Sequence, residues 1–231
     1  MPHQAETRAV HTAKPDAATG AIVPPLTHTT TFAYTPTGEP HTGDAYTYTR
    51  NQNPNREMLE RALTDLCDGA AAHAVPSGSA AMMLIFQALG PRSHIVCSED
   101  LYFGVRVQLT EFFSVWGVET SFVDTRQPEA VAAACRPGQT RLVLTESPTN
   151  PGIRLADIPA LAEIAHEAGA LLLVDNTVAT PIIQQPLTLG ADIEVISLTK
   201  YMAGHHDILG GGIILQDADT EFAARLDRLV R

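Results

Sequence analysis

The stretch Ile193-Glu194-Val195-Ile196-Ser197-Leu198-Thr199-Lys200-Tyr201 joins a short apolar run to a lysine that lies between two hydroxyl side chains. The apolar run predicts a buried β-strand, and Lys200 then lies in the loop that follows it. The aliphatic run at residues 171–174 likewise ends in a carboxylate, that of Asp175. In a mostly parallel sheet, ligands bind beyond the carboxyl ends of the strands. The lysine and the acid are therefore predicted to face one ligand site.

This pair of residues meets the needs of pyridoxal phosphate, whose aldehyde forms an imine with an amine and whose ring nitrogen is kept protonated by an anion. Lys200 is predicted to supply the amine, and partial burial near Ser197 and Thr199 would favour its neutral form. Asp175 is predicted to pair with the ring nitrogen. Alone, Lys200 is also consistent with a solvated surface charge, and Asp175 with a turn or helix cap. Their joint occurrence favours the cofactor.

From about residue 56 onward, helical and strand patterns alternate. This alternation predicts an α/β fold with a mostly parallel sheet that is covered by helices on both faces. The clearest helices are expected at residues 56–68 (with Asn55 as the cap), 78–89 and 158–168. The predicted strands are residues 71–75, 95–97, 120–123, 142–145, 171–174, 193–196 and 212–215.

Residues 1–55 differ from the rest of the chain. They are rich in Thr, Pro, His and Tyr and show no sustained hydrophobic period. This pattern predicts an extended arm with little core of its own, which lies on a neighbouring subunit. We expect residues 56–215 to form a large cofactor-binding domain, and residues 216–231 to begin a helix that links it to a further domain.

Three further loops carry candidate ligand contacts. Gly78 and Ser79 lie between a strand and a helix, where small residues and free amides at a helix N-terminus suit a phosphate group. Tyr102 is placed to stack on a flat ring. Asn150 follows another strand, where its amide suits the phenolic oxygen of the cofactor. The alternatives are an ordinary strand-to-helix turn, a core aromatic side chain and a proline-bounded turn.

The arm holds a fourth candidate, in which Tyr48 and Arg50 flank a threonine. Arg50 fits either a plain surface charge or a bidentate phosphate ligand that reaches into the site of another subunit. The pair His205-His206 lacks the usual spacing of metal ligands, so no metal site is expected.

The composition narrows the class of partner. The chain has 231 residues, 45% of them hydrophobic and 18% charged, which is typical of a folded globular protein. A net charge of −11 disfavours nucleic acid and anionic membranes as partners. The first residues lack a signal-peptide layout, and the three cysteines follow no metal or disulfide pattern. We therefore expect a cytoplasmic protein.

In this order and spacing, the motifs resemble those of the cystathionine γ-synthase/γ-lyase group, the Cys/Met-metabolism enzymes of the aspartate aminotransferase fold. The resemblance runs from about residue 11 to the C-terminus. It rests on the tracts at residues 19–25, 48–50, 77–79, 101–102, 147–151, 175–177 and 197–201. It implies the large domain of a type I pyridoxal-phosphate transferase.

The resemblance also implies a role for each matching residue. Lys200 would hold the cofactor as a Schiff base and shuttle protons, Asp175 would pair with the ring nitrogen, and Tyr102 would stack on the ring. Asn150 would contact the ring hydroxyl. The phosphate would be bound by two loops of this chain and by the arm of a neighbouring subunit, through Gly78, Ser79, Ser197, Thr199, Tyr48 and Arg50.

The implied activity is that of a lyase or transferase of the trans-sulfuration type acting on a small amino acid. Its steps would be removal of the α-proton, a second deprotonation at Cβ, and elimination or replacement of a γ-substituent through a vinylglycine-type intermediate. Some relatives perform β-elimination instead. Methionine γ-lyases of the group carry a cysteine where this chain has Gly104, which disfavours methionine as the substrate.

Family members continue into a second α/β domain that supplies the arginine for the substrate carboxylate. Residues 221–231 resemble only the start of the linking helix, whose apolar stripe needs a cover. We therefore expect a separate polypeptide that carries the C-terminal domain, in a heteromeric, tetramer-like assembly with further copies of this chain. The alternatives are a non-catalytic cofactor-binding subunit and a structural subunit that completes the active site of a partner.

Overall fold

A single sheet organises the part of the chain that the computed structural model describes, which is residues 5–11, 15–41 and 46–231. Its strands in chain order are β1 Ala71–Val75, β2 His94–Ser98, β3 Glu119–Val123, β4 Thr140–Glu146, β5 Leu171–Asp175, β6 Ile193–Ile196 and β7 Gly211–Leu215. The spatial order is β1-β7-β6-β5-β4-β2-β3. β7 pairs antiparallel with both of its neighbours, and all the other pairs are parallel. The predicted mostly parallel sheet is confirmed.

Helices connect most of these strands. Their bounds are α1 Ala5–His11, α2 Pro54–Leu66, α3 Gly78–Leu89, α4 Phe103–Val107, α5 Pro128–Ala134, α6 Ile158–Glu167, α7 Thr180–Ile183 and α8 Glu221–Val230. A π-helical turn and a 3-10 turn continue α4 to residue 116, and a second 3-10 turn follows α7. The three helices predicted most clearly are all present: α3 has the predicted bounds, α6 ends one residue earlier than expected, and α2 begins and ends two residues earlier.

The sheet is covered on both faces, as its apolar strands require. On one face α3, α8 and the helical segment at 103–116 pack on the strands through side chains such as Phe86, Leu109 and Leu226. On the other face α2, α5 and α6 do so through side chains such as Leu63, Val131 and Leu161. β2, β6 and β7 are buried along their whole length. The strand ends therefore form the accessible edge of the sheet.

The cap of α2 differs from the one predicted. Asn53 is the N-cap, and its side chain accepts a hydrogen bond from the amide of Asn55 at 2.9 Å. Pro54 fits the first helical position because its missing N–H would have no partner there. The side chain of Asn55 instead binds the arm, accepting from Thr27 N at 2.8 Å and donating to Pro25 O at 2.9 Å. Asn55 thus fastens the arm to α2.

The arm lies on the surface of the α/β domain and has no buried core of its own. No described residue between 6 and 50 is buried. The helix α1 was not predicted. Its Arg8 guanidinium donates to Asp65 O on α2 and lies 2.6 Å from a carboxylate oxygen of Asp68, just after α2. Large apolar side chains of the arm stand in solvent, among them Ile22, Val23 and Leu26. An arm on a neighbouring subunit stays a prediction.

The apolar stripe of α8 is covered by the chain itself. Ala223 and Leu226 are buried against α3, with Phe222 and Val230 packed beside them. Of this helix, Leu229 is the large apolar side chain that remains exposed. The cover that this stripe was expected to need is thus supplied within the chain, because α3 has a matching apolar surface. Among the described residues, no helix has both the length and the apolar character needed to cross a membrane.

Candidate active site at the carboxyl edge of the sheet

Strand register brings the predicted ligand residues to one edge of the sheet. Glu146 at the end of β4 pairs with Asp175 at the end of β5, and Asp175 pairs with Val195 on β6. β1 runs in the same direction as these strands, since both β1 and β6 are antiparallel to β7. The loops that follow β1, β4, β5 and β6 therefore all leave the sheet at this edge.

The loops after β1 and β6 touch at Gly78. A methyl group on Gly78 would lie 3.0 Å from the Cβ of Ser197 and 3.3 Å from its Cα, so a side chain at this position would press on the Ser197 loop. Gly78 is also the first residue of α3, whose N-cap is Ser77. Ser77 accepts the amide of Ala80 at 3.1 Å, which leaves the amides of Gly78 and Ser79 at the helix terminus for a ligand. This cradle suits a phosphate group.

Thr177 connects the loops after β5 and β6. Its hydroxyl accepts a hydrogen bond from Ser197 N at 2.8 Å, and its own amide donates to Asp175 Oδ1 at 3.0 Å. Thr177 belongs to the tract at residues 175–177, to which the sequence alone assigned no separate threonine role. A hydroxyl two residues after a strand-terminal acid was the available signal. Thr177 fixes the acid relative to the cradle.

Asp175 is a half-buried carboxylate. Burial raises its pKa above the ordinary value, against the opposing effect of its hydrogen bonds with Thr177. No lysine, arginine or histidine within the described ranges forms an ion pair with it. A desolvated carboxylate without a basic neighbour is stabilised by a cationic ligand, and a protonated pyridine ring is one.

Lys200 lies at the same edge with an exposed side chain. Its backbone forms a turn with Ser197 O (3.2 Å), and its carbonyl accepts from Gly204 N (2.9 Å). The partial burial that we expected was wrong, because residue 200 lies in the turn after β6 and not on the buried strand. In the described residues its amine has no hydrogen-bond or ion-pair partner, so it is open to a ligand.

Thr199 has a different setting from the one predicted. Its hydroxyl donates to Gly210 O at 3.2 Å and accepts from Gly210 N at 3.1 Å. These bonds hold the Lys200 loop against the start of β7. Because the hydroxyl proton is used by Gly210, the predicted bond from Thr199 to a phosphate requires that this proton turn away from the carbonyl. Ser197 is the hydroxyl that faces Gly78 directly.

One buried carboxylate holds two of the other predicted residues. Glu146 accepts the amide of Tyr102 at 2.8 Å through Oε2 and the amide of Asn150 at 2.9 Å through Oε1. The Tyr102 residue is 54% exposed at the start of α4, and Asn150 is also exposed. Burial, and next the negative charge of Asp175, raise the pKa of Glu146 to about 7. Sequence reasoning missed Glu146.

Tyr48 and Arg50 are not brought into this group. Both are exposed on the arm, where the guanidinium of Arg50 lies 5.0 Å from the ring centroid of Tyr48. No hydrogen bond or ion pair between described residues joins either side chain to the Lys200 loop. Their predicted place in the site of a neighbouring subunit stays a prediction.

The residues at this edge fit pyridoxal phosphate. The Gly78–Ser197 contact forms a small-residue cradle at a helix N-terminus, Asp175 is a desolvated acid without a cation, and Lys200 is an accessible amine. These are the phosphate, ring-nitrogen and aldehyde partners that the cofactor needs. Together with the seven-stranded sheet, they define the large domain of a type I pyridoxal-phosphate-dependent enzyme.

A sequence model of the family described as "Cys/Met metabolism PLP-dependent enzyme" matches residues 6–230. The chain belongs to this family. It is 42% identical over 199 residues to "Cystathionine gamma-lyase" of Bacillus subtilis, an alignment that covers 86% of this chain and 52% of that protein. It is also 42% identical over 221 residues to "Cystathionine gamma-synthase" of Mycobacterium bovis, where the alignment covers 94% of this chain and 56% of the relative.

Among solved structures, metB from Corynebacterium glutamicum superposes with a TM-score of 0.93 at 36% identity. The match covers 99% of this chain and 58% of that one. The chain thus spans about half the length of the curated relatives that it matches. The comparisons confirm the predicted family and fold, and they identify the cofactor as pyridoxal phosphate.

Proposed function

We propose that this chain forms the cofactor-binding part of an enzyme that eliminates or replaces the γ- or β-substituent of a sulfur-containing amino acid. The observation that carries the proposal is the meeting of Lys200, Asp175 and the Gly78–Ser197 cradle at one edge of the sheet. The relatives named cystathionine γ-lyase and cystathionine γ-synthase support this substrate class.

Each residue has a stated task in this proposal. When bound, pyridoxal phosphate supplies a ring that withdraws electrons from the α-carbon of the substrate. Lys200 Nζ attaches the cofactor and, once the substrate amine has replaced it there, takes up the protons removed from the α-carbon and from Cβ of the substrate. The Asp175 carboxylate holds the proton on the ring nitrogen, and Tyr102 covers the ring. Gly78, Ser79, Ser197 and Thr199 hold the phosphate, and Asn150 the ring oxygen.

Gly104 bears on the choice of substrate. A methyl group at this position would lie 2.5 Å from Cε1 of Tyr102, so the tyrosine ring occupies the space that a side chain at 104 would need. Because residue 104 is a glycine, the cysteine that methionine γ-lyases of the group carry at this position is absent. This favours cystathionine or cysteine over methionine as the substrate.

The attachment of the cofactor is tested by borohydride trapping, because the sequence contains only two lysines, Lys14 and Lys200. The chain is mixed with pyridoxal phosphate, reduced, digested and analysed by mass spectrometry. The expected result is a pyridoxyl adduct on the peptide that contains Lys200. Lys200→Ala should abolish the adduct, and the matched control Lys14→Ala should retain it. An adduct spread equally over both lysines would contradict the proposal.

The assembly is a further part of the proposal. The division into an arm (1–55), a large domain (56–215) and a linking helix (216–231) stays a prediction.

We propose that Tyr48 and Arg50 complete the phosphate site of a neighbouring copy, since both are exposed on an arm without a core. Mixing Lys200→Ala chains with Arg50→Ala chains tests the exchange: only mixed assemblies hold a site with both residues intact, so they should bind more cofactor than either variant alone.

The expectation of a separate polypeptide with the C-terminal domain stays a prediction, because the comparisons give only the share of each relative that this chain spans. Co-purification from the native host tests it. A copurifying chain that matches the remaining half of the relatives would support it. Normal turnover by this chain alone would contradict it. A cofactor spectrum that amino acids leave unchanged would favour the non-catalytic alternative.

A further inference from the structure

Glu146 lies beneath two loops that the proposed function places around the cofactor ring. Its residue is 6% exposed, and each of its carboxylate oxygens accepts one backbone amide. One amide belongs to Tyr102, the N-cap of α4, and the other to Asn150 in the turn after β4. The two amides are 48 positions apart in sequence, and a single side chain joins them.

We propose that Glu146 is a positioning residue that sets the place of the Tyr102 ring and the Asn150 amide relative to Asp175. This inference rests on the proposed function, since it concerns the same cofactor site. Glu146 and Asp175 are register partners at the ends of β4 and β5, so the carboxylate that holds the two loops has a fixed distance from the acid under the ring nitrogen.

The arrangement is specific to an acceptor with two oxygens. Both donors are backbone N–H groups, and neither can turn to accept a hydrogen bond. A glutamine at 146 has one oxygen and one NH2 group, so it accepts one of the two amides and sets a donor against the other. Burial makes that mismatch costly because water cannot replace the lost acceptor.

The turn around Asn150 is held from a second side as well. Asp100 accepts the hydroxyl of Thr149 at 3.1 Å and lies 3.4 Å from the guanidinium of Arg154. Loss of the Glu146 contact should therefore loosen the two amides locally and leave the turn folded. If Glu146 had only a general structural role, its replacement would lower the free energy of unfolding and leave the circular dichroism of the bound cofactor unchanged.

The test compares Glu146→Gln with Glu194→Gln. Glu194, on β6, is the matched control. It is a fully buried glutamate whose pKa is also raised to about 7, and its side chain binds Asn176 and neither Tyr102 nor Asn150. Amide hydrogen exchange of Tyr102 and Asn150 is measured by NMR without cofactor. Pyridoxal phosphate is then titrated, and the circular dichroism of its visible band is recorded.

For Glu146→Gln we expect faster exchange at one or both amides, a changed visible dichroism, and a Kd for pyridoxal phosphate about tenfold higher, which corresponds to one lost buried hydrogen bond. Glu194→Gln should match the wild type in all three. Glu146→Asp, which keeps the charge and shortens the reach, is the second variant and should also weaken binding.

Wild-type values of exchange, dichroism and Kd in Glu146→Gln and Glu146→Asp would overturn the inference. Borohydride trapping separates this failure from that of the proposed function. If the wild type is labelled at Lys200 and the Glu146 variants behave as the wild type, then only the positioning role of Glu146 is refuted. If the wild type is not labelled at Lys200, the proposed function falls and the positioning role falls with it.

Discussion

The amide of Ser197 donates a hydrogen bond to Thr177 Oγ1 at 2.8 Å, and this bond joins the ends of β5 and β6. On the far side of Thr177, its own amide binds Asp175 at 3.0 Å. Ser197 in turn contacts Gly78 across the cradle. One threonine thus fixes the distance between the acid and the proposed phosphate cradle, so its hydroxyl is expected to matter for cofactor affinity.

Thr177→Val keeps the shape of the side chain and removes the acceptor of the Ser197 amide. We expect a loss of about 1–2 kcal/mol in the free energy of unfolding and a weaker affinity for pyridoxal phosphate, because a half-buried N–H loses its partner. Thr177→Ser, which keeps the hydroxyl, should retain the affinity. Urea unfolding and cofactor titration measure both effects. Equal affinities in the two variants would contradict this role.

Gly78→Ala should weaken cofactor binding more than Gly104→Ala does. The new methyl at 78 would lie 3.0 Å from Cβ and 3.3 Å from Cα of Ser197, so relief requires movement of the whole loop. The three atoms nearest to a methyl at 104 all belong to the ring of Tyr102, which is exposed and can rotate away. Side-by-side cofactor titrations check this ranking, and a larger loss at Gly104 would refute it.

Asp175→Asn should leave attachment at Lys200 intact and remove the anion that keeps the ring nitrogen protonated. We expect a changed pH dependence of the visible spectrum and a slower removal of the α-proton from an added amino acid. Spectral titration and exchange of the α-proton with deuterated water measure these. The control is Asp192→Asn, which alters an acid at the start of β6, at the opposite end of the sheet.

The raised pKa of Glu194 leads us to expect that the free energy of unfolding depends on pH. Burial raises its pKa from the ordinary 4.5 to about 7, against the hydrogen bonds from Asn176 and Cys67. Because the folded state then binds the proton more tightly than the unfolded chain, stability falls as pH rises from about 4.5 through 7. Glu194→Gln should therefore stabilise the chain at pH 8 by as much as about 3 kcal/mol and little at pH 4.

Urea unfolding at several pH values tests the effect of Glu194. The control is Glu119→Gln, because Glu119 is an exposed glutamate whose pKa is lowered by Arg136. That change should not stabilise the chain at high pH. A stability of Glu194→Gln that follows the wild type across the whole pH range would show that the buried acid carries no such penalty.

Local pattern was enough for the elements with strong signals. β1, β6 and α3 have the predicted bounds, because alternating or continuous apolar runs end there at Pro, Ser or Gly. The N-cap of α2 was wrong by two residues. Asn53 and Asn55 are both good caps by type, and only the contact of Asn55 with the arm separates them.

The sequence by itself determined the chemistry of this protein: a lysine and an acid after two apolar strands, and a small-residue turn before a helix. These are short-range patterns, and each residue type carries its own reactivity. Tertiary structure alone decided that Glu146 holds Tyr102 and Asn150, that Thr177 connects Asp175 to Ser197, and that α3 covers α8. Such contacts join residues that are distant in sequence, and strand register and helix packing set them.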